Sequence, residues 1–469
     1  MTTLPLPPRR SLFRHHDFAR LWTAATISLF GTQLSQIAIP FIAAVLLNAS
    51  PGEVGLLVTV DFLPFLLFTL PAGVWVDRFP RKRILILGDL GRAVMLASIP
   101  VAYALGGLTM WQLYVVGFVN GIMTVFFDVA DQSYLPSILE RDQLVDGNAK
   151  LQVSQSSAQI LGQPFGGGIV ALLSAPIAIA IDAVSYVGSA GLIALIRGDR
   201  KRAAITSGTG GPAAAASSAD DVAPSPAAAA SVAAEASAAD PAVNPAAPGE
   251  PAQGGMRTEI MEGLRYILRH SYLGHIAAST ASSNLFSNIA LAIFAVYAYR
   301  TLELDPAAVG ALGGIGGAGV MIGALFSSRI AARFGIGATI IGSMFASSVA
   351  GLLVPLAPKE TAFFFLAGAF FFGSIACVVY NVNQVSLRQA ITPEAFLGRM
   401  NATMRFLVWG TIPIGSLIGA GLSEIVGVHT TIWIGALLGL LAFLPVLFSP
   451  VRRLRTIPEE DPDAAVAAA

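Results

Sequence analysis

Residues 73–83 read GVWVDRFPRKR and separate two apolar runs, 54–76 and 84–104. Each run has about the 20 residues that a helix needs to cross the roughly 30 Å hydrocarbon core of a bilayer. The stretch between them combines a glycine, an acid four residues later and a cluster of basic side chains. We therefore predict that a short basic turn joins two membrane-spanning helices here.

The composition of the whole chain agrees with a membrane protein. Of its 469 residues, 55% are hydrophobic and only 12% are charged, and the mean hydropathy is +0.70. This is too apolar for an ordinary soluble domain. Apolar runs of spanning length predict helices over 21–47, 54–76, 84–104, 111–127, 151–173, 177–195, 273–299, 308–330, 336–354, 362–380, 406–425 and 431–448. We predict an all-α membrane protein of twelve transmembrane helices in two six-helix bundles.

The distribution of basic residues predicts the orientation. With both termini in the cytoplasm, 26 of the 28 Lys and Arg residues lie on the cytoplasmic side, and Arg300 and Lys359 are the exceptions. Cytoplasmic loops of membrane proteins carry this excess of positive charge. We therefore expect a multi-pass protein of the inner, cytoplasmic membrane.

Changes in composition divide the chain into segments. Residues 203–255 are rich in Ala, Pro, Ser and Gly, and we predict a disordered cytoplasmic linker. Residues 259–269 alternate apolar and charged side chains, which fits either an interfacial helix or a cytoplasmic extension of the seventh span. The predicted segments are an N-terminal segment 1–20, a first bundle 21–202, the linker, a second bundle 256–450 and a tail 451–469.

The two halves resemble one another. Residues 131–135 (DQSYL) correspond to 383–387 (NQVSL), and each is followed by a polar loop and an Asn-Ala pair. At nearly the same offset, Gly162 and Gly166 match Gly415 and Gly419. Such a repeat predicts a pseudo-twofold arrangement, which alternating-access transporters use to rock two bundles about a central site.

Polar residues recur at helical spacing on the first, fourth, seventh and tenth spans. The candidate cavity-lining residues are Thr32, Gln33, Gln36, Asn120, Thr124, Thr280, Asn284, Asn288, Asn381 and Gln384. Polar side chains also bind helices to one another inside membranes. The coincidence of four such stripes favours a central cavity, although any one residue fits the structural explanation.

Carboxylates inside spans are costly and mark candidate ion-coupling groups. Asp61 lies isolated in the second span, and Asp128 lies near the cytoplasmic mouth of the fourth. Asp61 also fits an acid that meets water near the outer surface. Asp89 and Arg92 lie three residues apart, which predicts a structural ion pair.

The chain offers no other chemistry. Its single Cys377 forms neither a disulfide nor a metal site, and no nucleotide-binding loop or catalytic domain is recognisable. Asp128 and Asp131 could bind a diphosphate through Mg²⁺ in an intramembrane enzyme, but one acidic pair is not two. We predict no metal, no cofactor and no nucleic-acid partner.

Residues 73–83 resemble the signature loop of the major facilitator superfamily. The matching positions are Gly73, Asp77, Arg78, Arg81, Lys82 and Arg83. The resemblance implies that Gly73 lets neighbouring helices approach, that Asp77 pairs across to the other bundle, and that the basic side chains hold the turn. The basic residues also fit simple cytoplasmic anchors.

Two further stretches resemble exporters of this superfamily. Residues 162–167 (GQPFGG) are similar to the exporter motif of the fifth span, with Gly162, Pro164, Gly166 and Gly167 as matching positions. Residues 13–22 and 31–40 are similar to the opening of the macrolide-efflux and enterobactin-exporter branch. This resemblance implies a monomeric, lipid-embedded antiporter that uses the proton gradient to export small amphiphilic drugs, antibiotics or siderophores. An importer and a non-transporting receptor or scaffold are the alternatives.

Overall fold

The computed structural model describes residues 12–76, 78–139, 143–197, 264–456 and 458. In this part of the chain the regular elements are helices, and no strand is present. We number the longer helices α1 (His16–Phe41), α2 (Pro51–Val76), α3 (Arg81–Ala104), α4 (Met110–Ile138), α5 (Leu144–Leu172), α6 (Ala175–Ala194), α7 (Leu273–Leu291), α8 (Pro306–Phe334), α9 (Ile336–Gly351), α10 (Ala362–Ile391), α11 (Glu394–Trp409), α12 (Thr411–Val426) and α13 (Val428–Gly439).

The predicted all-α membrane fold is confirmed. Among the described residues, 10 helical stretches are long and apolar enough to cross a bilayer. The polar α5 and the 16-residue α9 complete the bundles. The predicted eleventh span, 406–425, lies within one apolar helical stretch, Thr403–Val426. Gly410, whose backbone is still in the helical region (φ −62°, ψ −21°), separates α11 from α12 within that stretch. The predicted linker 203–255 lies outside the described residues.

The segment before α7 is described only from residue 264. Residues 264–269 are helical, and a bend at 270–272 separates them from α7. Tyr266 and Ile267 are buried in a core cluster with Ile276 and Ile340. The described part of this segment is therefore a short helix separated from α7 by a bend and packed on the core of the second half. Residues 259–263 of the predicted interfacial helix lie outside the described part.

The backbone repeats between the two halves. A π-helical turn follows α1 at Ile42–Leu46, and another follows α7 at Tyr297–Thr301. Each is followed by a residue in the left-handed region, Asn48 (φ 49°) and Glu303 (φ 54°). Such φ values are uncommon for residues other than glycine. Their recurrence at equivalent places supports the duplication inferred from the sequence.

Helix packing defines two bundles and the seam between them. In the first half, α1 packs on α5 and α6, and α3 and α4 complete the bundle with α2. In the second half, α7 packs on α12 and α13, and α10 packs on α8 and α9. Two pairs, α5 with α8 and α2 with α12, join the halves. The seam therefore follows the pseudo-twofold relation.

The two ends of the bundle differ. We call the end with the α2–α3 turn (78–80) the motif end, and the end with the α1–α2 turn (47–50) the far end. One core cluster at the far end contains residues of both halves, including Val296 and Tyr299 against the first bundle. At the motif end, each of two core clusters draws its residues from one half only. Among the described residues, the apolar core is therefore shared between the halves at the far end and divided between them at the motif end.

Candidate functional site

Polar and aromatic contacts close the far end. Arg300 Nε donates to the carbonyl oxygen of Ala44 at 2.6 Å, where the π-helical turn redirects the backbone. The rings of Phe41 and Tyr299 meet edge to face at 5.1 Å between centroids. The backbone N–H of Gly52 donates to Glu424 Oε1 at 2.7 Å. A carboxylate is favourable there because it faces the positive end of α2.

We expect Glu424→Gln to weaken far-end closure. The neutral amide loses the attraction to the α2 N-terminus, worth about 0.3–1 kcal/mol at an exposed site, so the open population should rise roughly two- to fivefold. Cys377 lines the cavity described below and serves as the reporter. Labelling by a membrane-impermeant maleimide, measured in right-side-out and inside-out vesicles, should become faster from the far end.

Glu360→Gln is the matched control for this substitution. It removes a carboxylate from the same end of the bundle, in the exposed loop before α10. It should leave the labelling rate unchanged. Equal rates for both variants and the unmodified chain would show that Glu424 does not hold the far end closed.

An open cavity lies in the second half beside the seam, and its empty space, including solvent at the mouth, is about 590 Å³. Helices α7, α10 and α11 line it with polar, basic and apolar side chains. The lining residues are Thr280, Ser283, Asn284, Cys377, Tyr380, Asn381, Gln384, Arg388, Met404, Arg405, Val408 and Trp409. Clefts that combine apolar surface with a few convergent polar groups are typical small-molecule sites.

Hydrogen bonds hold part of the cavity wall in place. The hydroxyls of Thr280 and Tyr380 lie 2.6 Å apart, and Asn284 Nδ2 donates to the carbonyl of Val408 at 3.3 Å. Gln384 is only 4% exposed, yet its Oε1 atom has no hydrogen-bond partner among the described residues. A buried amide oxygen without a partner is costly, so this side chain retains the capacity to bind a donor.

Arg405 and Trp409 form the inner end of the cavity. The Arg405 guanidinium lies 4.9 Å from the centroid of the Trp409 ring. In the described part of the chain, its buried Nε atom has no hydrogen-bond partner. The Trp409 ring meets Phe65 of α2 at 5.7 Å. This aromatic contact crosses the seam and closes the cavity on its far-end side.

The first half contains a buried charge network. Arg92 Nη2 donates to Asp89 Oδ1 at 2.5 Å, and the two residues are 5% and 0% exposed. The guanidinium also lies over the rings of Phe127 at 4.1 Å and Tyr186 at 4.4 Å. The Tyr186 hydroxyl lies 2.8 Å from Thr32 Oγ1. The ion pair predicted from the sequence is therefore part of the packing between α1, α3, α4 and α6.

The carboxylates of α4 extend this network towards the seam. Asp128 is solvent-exposed and interacts electrostatically with Arg92 and with Arg405 of the other half. Asp131 interacts with Asp128, Asp89 and Arg92. Asp61 lies apart from this group, with its carboxylate against Gly117 of α4. Of the two candidate coupling carboxylates, Asp128 is the one in electrostatic contact with the cavity.

Comparison with known proteins identifies the family. The model of the Major Facilitator Superfamily matches residues 21–273 and 272–468. The chain belongs to the Major Facilitator Superfamily. It is therefore a membrane transporter and not an enzyme.

Several individual members of the superfamily are similar to the chain. Macrolide efflux protein A of Streptococcus pyogenes is 27% identical over 187 residues, 39% of this chain and 46% of that protein. The alignment thus spans less than half the length of that curated relative. Multidrug efflux pump Tap of Mycolicibacterium fortuitum is 23% identical over 449 residues, 92% of this chain and 95% of that protein.

A solved structure shares the fold. The crystal structure of a bacterial homologue of the iron transporter ferroportin, described as inward-facing, gives a TM-score of 0.64 at 15% identity. The alignment covers 93% of this chain and 99% of that one. At 15% identity this likeness shows only that the two chains share a fold.

The signature loop of this superfamily member is described in part. Gly73 lies in α2, and Asp77 lies outside the described residues. Lys82 Nζ donates to the carbonyl oxygens of Ala194 and Ile196 at 2.9 and 2.6 Å, at the C-terminal end of α6. Cations are favourable at that position because the last carbonyls of a helix lack partners. Arg78 and Arg83 are exposed, and Arg81 is half-buried.

The fifth-span motif lies where α5 packs between α1 and α8. A Cβ at Gly162 or Gly166 would meet the α1 backbone and side chains around Gln33. Gly167 faces the other half, where a Cβ would overlap with the carbonyl oxygen of Pro306 and lie 3.0 Å from the Cα of Gly310. Pro164 packs against Gly314. The motif therefore forms much of the seam near the far end.

Some of the predicted cavity residues line the cavity, and the others lie elsewhere in the two bundles. Thr280, Asn284, Asn381 and Gln384 line the cavity. Asn288 of α7 instead packs against Gly415 of α12. In the first half, Gln36 is exposed, Asn120 and Thr124 are half-buried, and Gln33 is buried against Gly162.

Sequence reasoning missed the contribution of α11. It assigned Arg388 and Arg405 to a basic cytoplasmic loop. It placed Val408 and Trp409 in the eleventh span but did not propose them, or Met404, as cavity residues, whereas all five line the cavity. The available signal was the spacing of Arg405 and Trp409, which at four residues places them on one helix face.

Proposed function

We propose that this transporter exports small amphiphilic compounds by alternating access, driven by the proton gradient. The observation that carries the proposal is the cavity on α7, α10 and α11, which lies beside a cleft closed at the far end and separated at the motif end. Its aromatic, aliphatic and polar lining suits amphiphiles. The similarity to proteins named for macrolide and multidrug efflux supports export.

The proposed topology follows from the basic residues. The motif end faces the cytoplasm of the cell, both termini are cytoplasmic, and the described conformation is inward-facing. In this arrangement the open cavity takes substrate from the cytoplasm or the inner leaflet. The protein works as a monomer in lipid, without a cofactor.

Asp128 is the proposed coupling carboxylate. It is exposed to the cleft and interacts with Arg405 of the cavity wall, so a ligand at that wall changes its electrostatic environment. One proton moving across 100 mV supplies about 2.3 kcal/mol. That free energy sustains roughly a fiftyfold substrate gradient. Asp61 is the alternative coupling residue.

Inside-out membrane vesicles test this proposal. Respiring vesicles should accumulate a macrolide, a tetracycline or ethidium, and a protonophore should abolish the accumulation. Asp128→Asn should reduce gradient-driven accumulation at least tenfold, while equilibration without a gradient remains, because a neutral side chain cannot exchange its proton.

Asp146→Asn is the matched control, since it removes an exposed carboxylate from the surface pair with Lys150. It should accumulate substrate like the unmodified chain. Loss of coupling in Asp61→Asn but not in Asp128→Asn would transfer the coupling role to Asp61. Accumulation in right-side-out vesicles only would contradict export and indicate an importer.

A further inference from the structure

The two walls of the cleft carry opposite charges. The described cavity wall of the second half contains two guanidinium groups, Arg388 and Arg405, and no carboxylate. In the first half, α4 carries the solvent-exposed Asp128, which interacts electrostatically with Arg405, and the half-buried Asp131, which interacts with Asp128. Its buried cation, Arg92, already forms an ion pair with Asp89 and lies over two aromatic rings. The first half is therefore acidic towards the cleft, and the second half is basic.

The two charged walls are close enough to interact. Asp128 is electrostatically coupled to Arg405 across the seam, and Arg405 has a buried Nε atom without a hydrogen-bond partner in the described part. A purely anionic ligand at Arg405 would compete with Asp128. A purely cationic ligand would meet the repulsion of the Arg405 guanidinium. Because each of these ligands satisfies only one of the two charges, it leaves the charge on the other wall uncompensated.

An apolar surface adjoins the charged groups. Trp409 and Phe65 form a ring contact across the seam, and Met404 and Val408 continue the apolar surface along α11. Gln384 supplies a buried amide oxygen that has no partner in the described structure and can accept a hydrogen bond from a ligand. A ligand with a flat apolar body and a hydrogen-bond donor matches this surface.

We propose that the site selects zwitterionic amphiphiles, which carry one anionic and one cationic group on an aromatic or aliphatic body. The anionic group binds Arg405, the cationic group binds Asp128, and the body packs on Trp409. This inference rests on the proposed export function and specifies its substrate class. The cationic group competes with the proton for Asp128, so substrate binding releases a proton. An exchange of substrate for protons requires this opposition between substrate binding and proton binding.

A matched ligand series tests the selectivity. The purified full chain in lipid nanodiscs is titrated with four probes that share one fluorophore. These are ε-dansyl-lysine (zwitterion), dansylcadaverine (cation), dansylglycine (anion) and dansylamide (neutral). Binding is followed by dansyl fluorescence excited through tryptophan. We expect the zwitterion to bind at least tenfold more tightly than each of the others.

Two substitutions should change the charge preference in opposite directions. Arg405→Gln should weaken zwitterion binding at least tenfold and make dansylcadaverine the best ligand. Asp128→Asn should make dansylglycine the best ligand. Arg329→Gln and Asp146→Asn remove one exposed charge of each sign outside the cavity and should leave the order of the four ligands unchanged.

The outcomes separate this inference from the proposed function. Equal affinity for the four probes, or an order that neither substitution changes, overturns zwitterion selectivity even if the vesicles export drugs. A clear zwitterion preference supports it even if no gradient-driven transport is found, because binding is measured without a gradient. Since the unmodified chain alone gives the order of affinities, the inference stays testable if a variant fails to fold.

Discussion

Gly167→Val is expected to abolish transport while leaving each bundle folded. Gly167 on α5 packs against α8, and any Cβ there would overlap with the carbonyl oxygen of Pro306 and crowd the Cα of Gly310. Backbone atoms cannot move aside as a flexible side chain can, so the two helices must separate. Because α5 and α8 form one of the two main contacts between the halves, the far-end closure should be lost.

The neighbouring Gly168→Val provides the control. A Cβ at Gly168 has no atom within 4 Å, so this variant has the same loss of glycine and the same added volume without a clash. We expect vesicle accumulation near the unmodified level for Gly168→Val and at least a tenfold loss for Gly167→Val. The rate of Cys377 labelling from the far end should rise in Gly167→Val and stay unchanged in Gly168→Val. Equal transport by the two variants would contradict the role assigned to the seam.

Asp89→Asn should cause the largest loss of stability among the single substitutions considered. It leaves the Arg92 guanidinium buried without its ion-pair partner, in a position where the pair is 0% and 5% exposed. Removing one partner of a buried pair costs about 3–5 kcal/mol. The melting temperature (Tm) of the purified protein, followed by size-exclusion chromatography after heating, should fall clearly.

Two further variants test whether the loss of stability comes from the uncompensated Arg92 charge or from a general loss of packing. Asp146→Asn breaks the exposed pair with Lys150 and should change stability by less than about 1 kcal/mol. The double variant Asp89→Leu with Arg92→Met replaces the pair by apolar side chains of similar length and should recover part of the lost stability. If the double variant is less stable than Asp89→Asn, the uncompensated charge is not the cause.

The helices were predictable because the signal for a membrane helix is local. A run of apolar residues bounded by polar turns predicts a span wherever it occurs, and the helices fall where these runs lie. The eleventh span was predicted as one helix, and it lies within the single apolar stretch Thr403–Val426. The turn at Gly410 follows Trp409, whose carbonyl lacks its helical donor because Pro413 has no N–H. Arg405 was assigned to a loop because a charge next to a span is ordinarily topogenic.

The site was predictable only in part. The stripe on α7 and α10 contributes four cavity residues, Thr280, Asn284, Asn381 and Gln384, since their helical spacing places them on one face. The same spacing on α1 gives Thr32 and Gln33, which instead bond or pack inside the first half. Periodicity identifies a face of a helix, but the neighbouring helix decides whether that face lines a cavity.

By itself the sequence determined the membrane environment, the helical spans, the internal repeat and the resemblance to the superfamily, because each depends on composition, spacing or motif. Only the tertiary structure decided which polar residues meet. It placed Arg405 of α11 in electrostatic contact with Asp128 of α4 and brought buried residues of both halves into one core cluster at the far end. Those relations depend on how separate helices pack in space. The spacing of residues along the chain does not predict the distance between side chains on different helices.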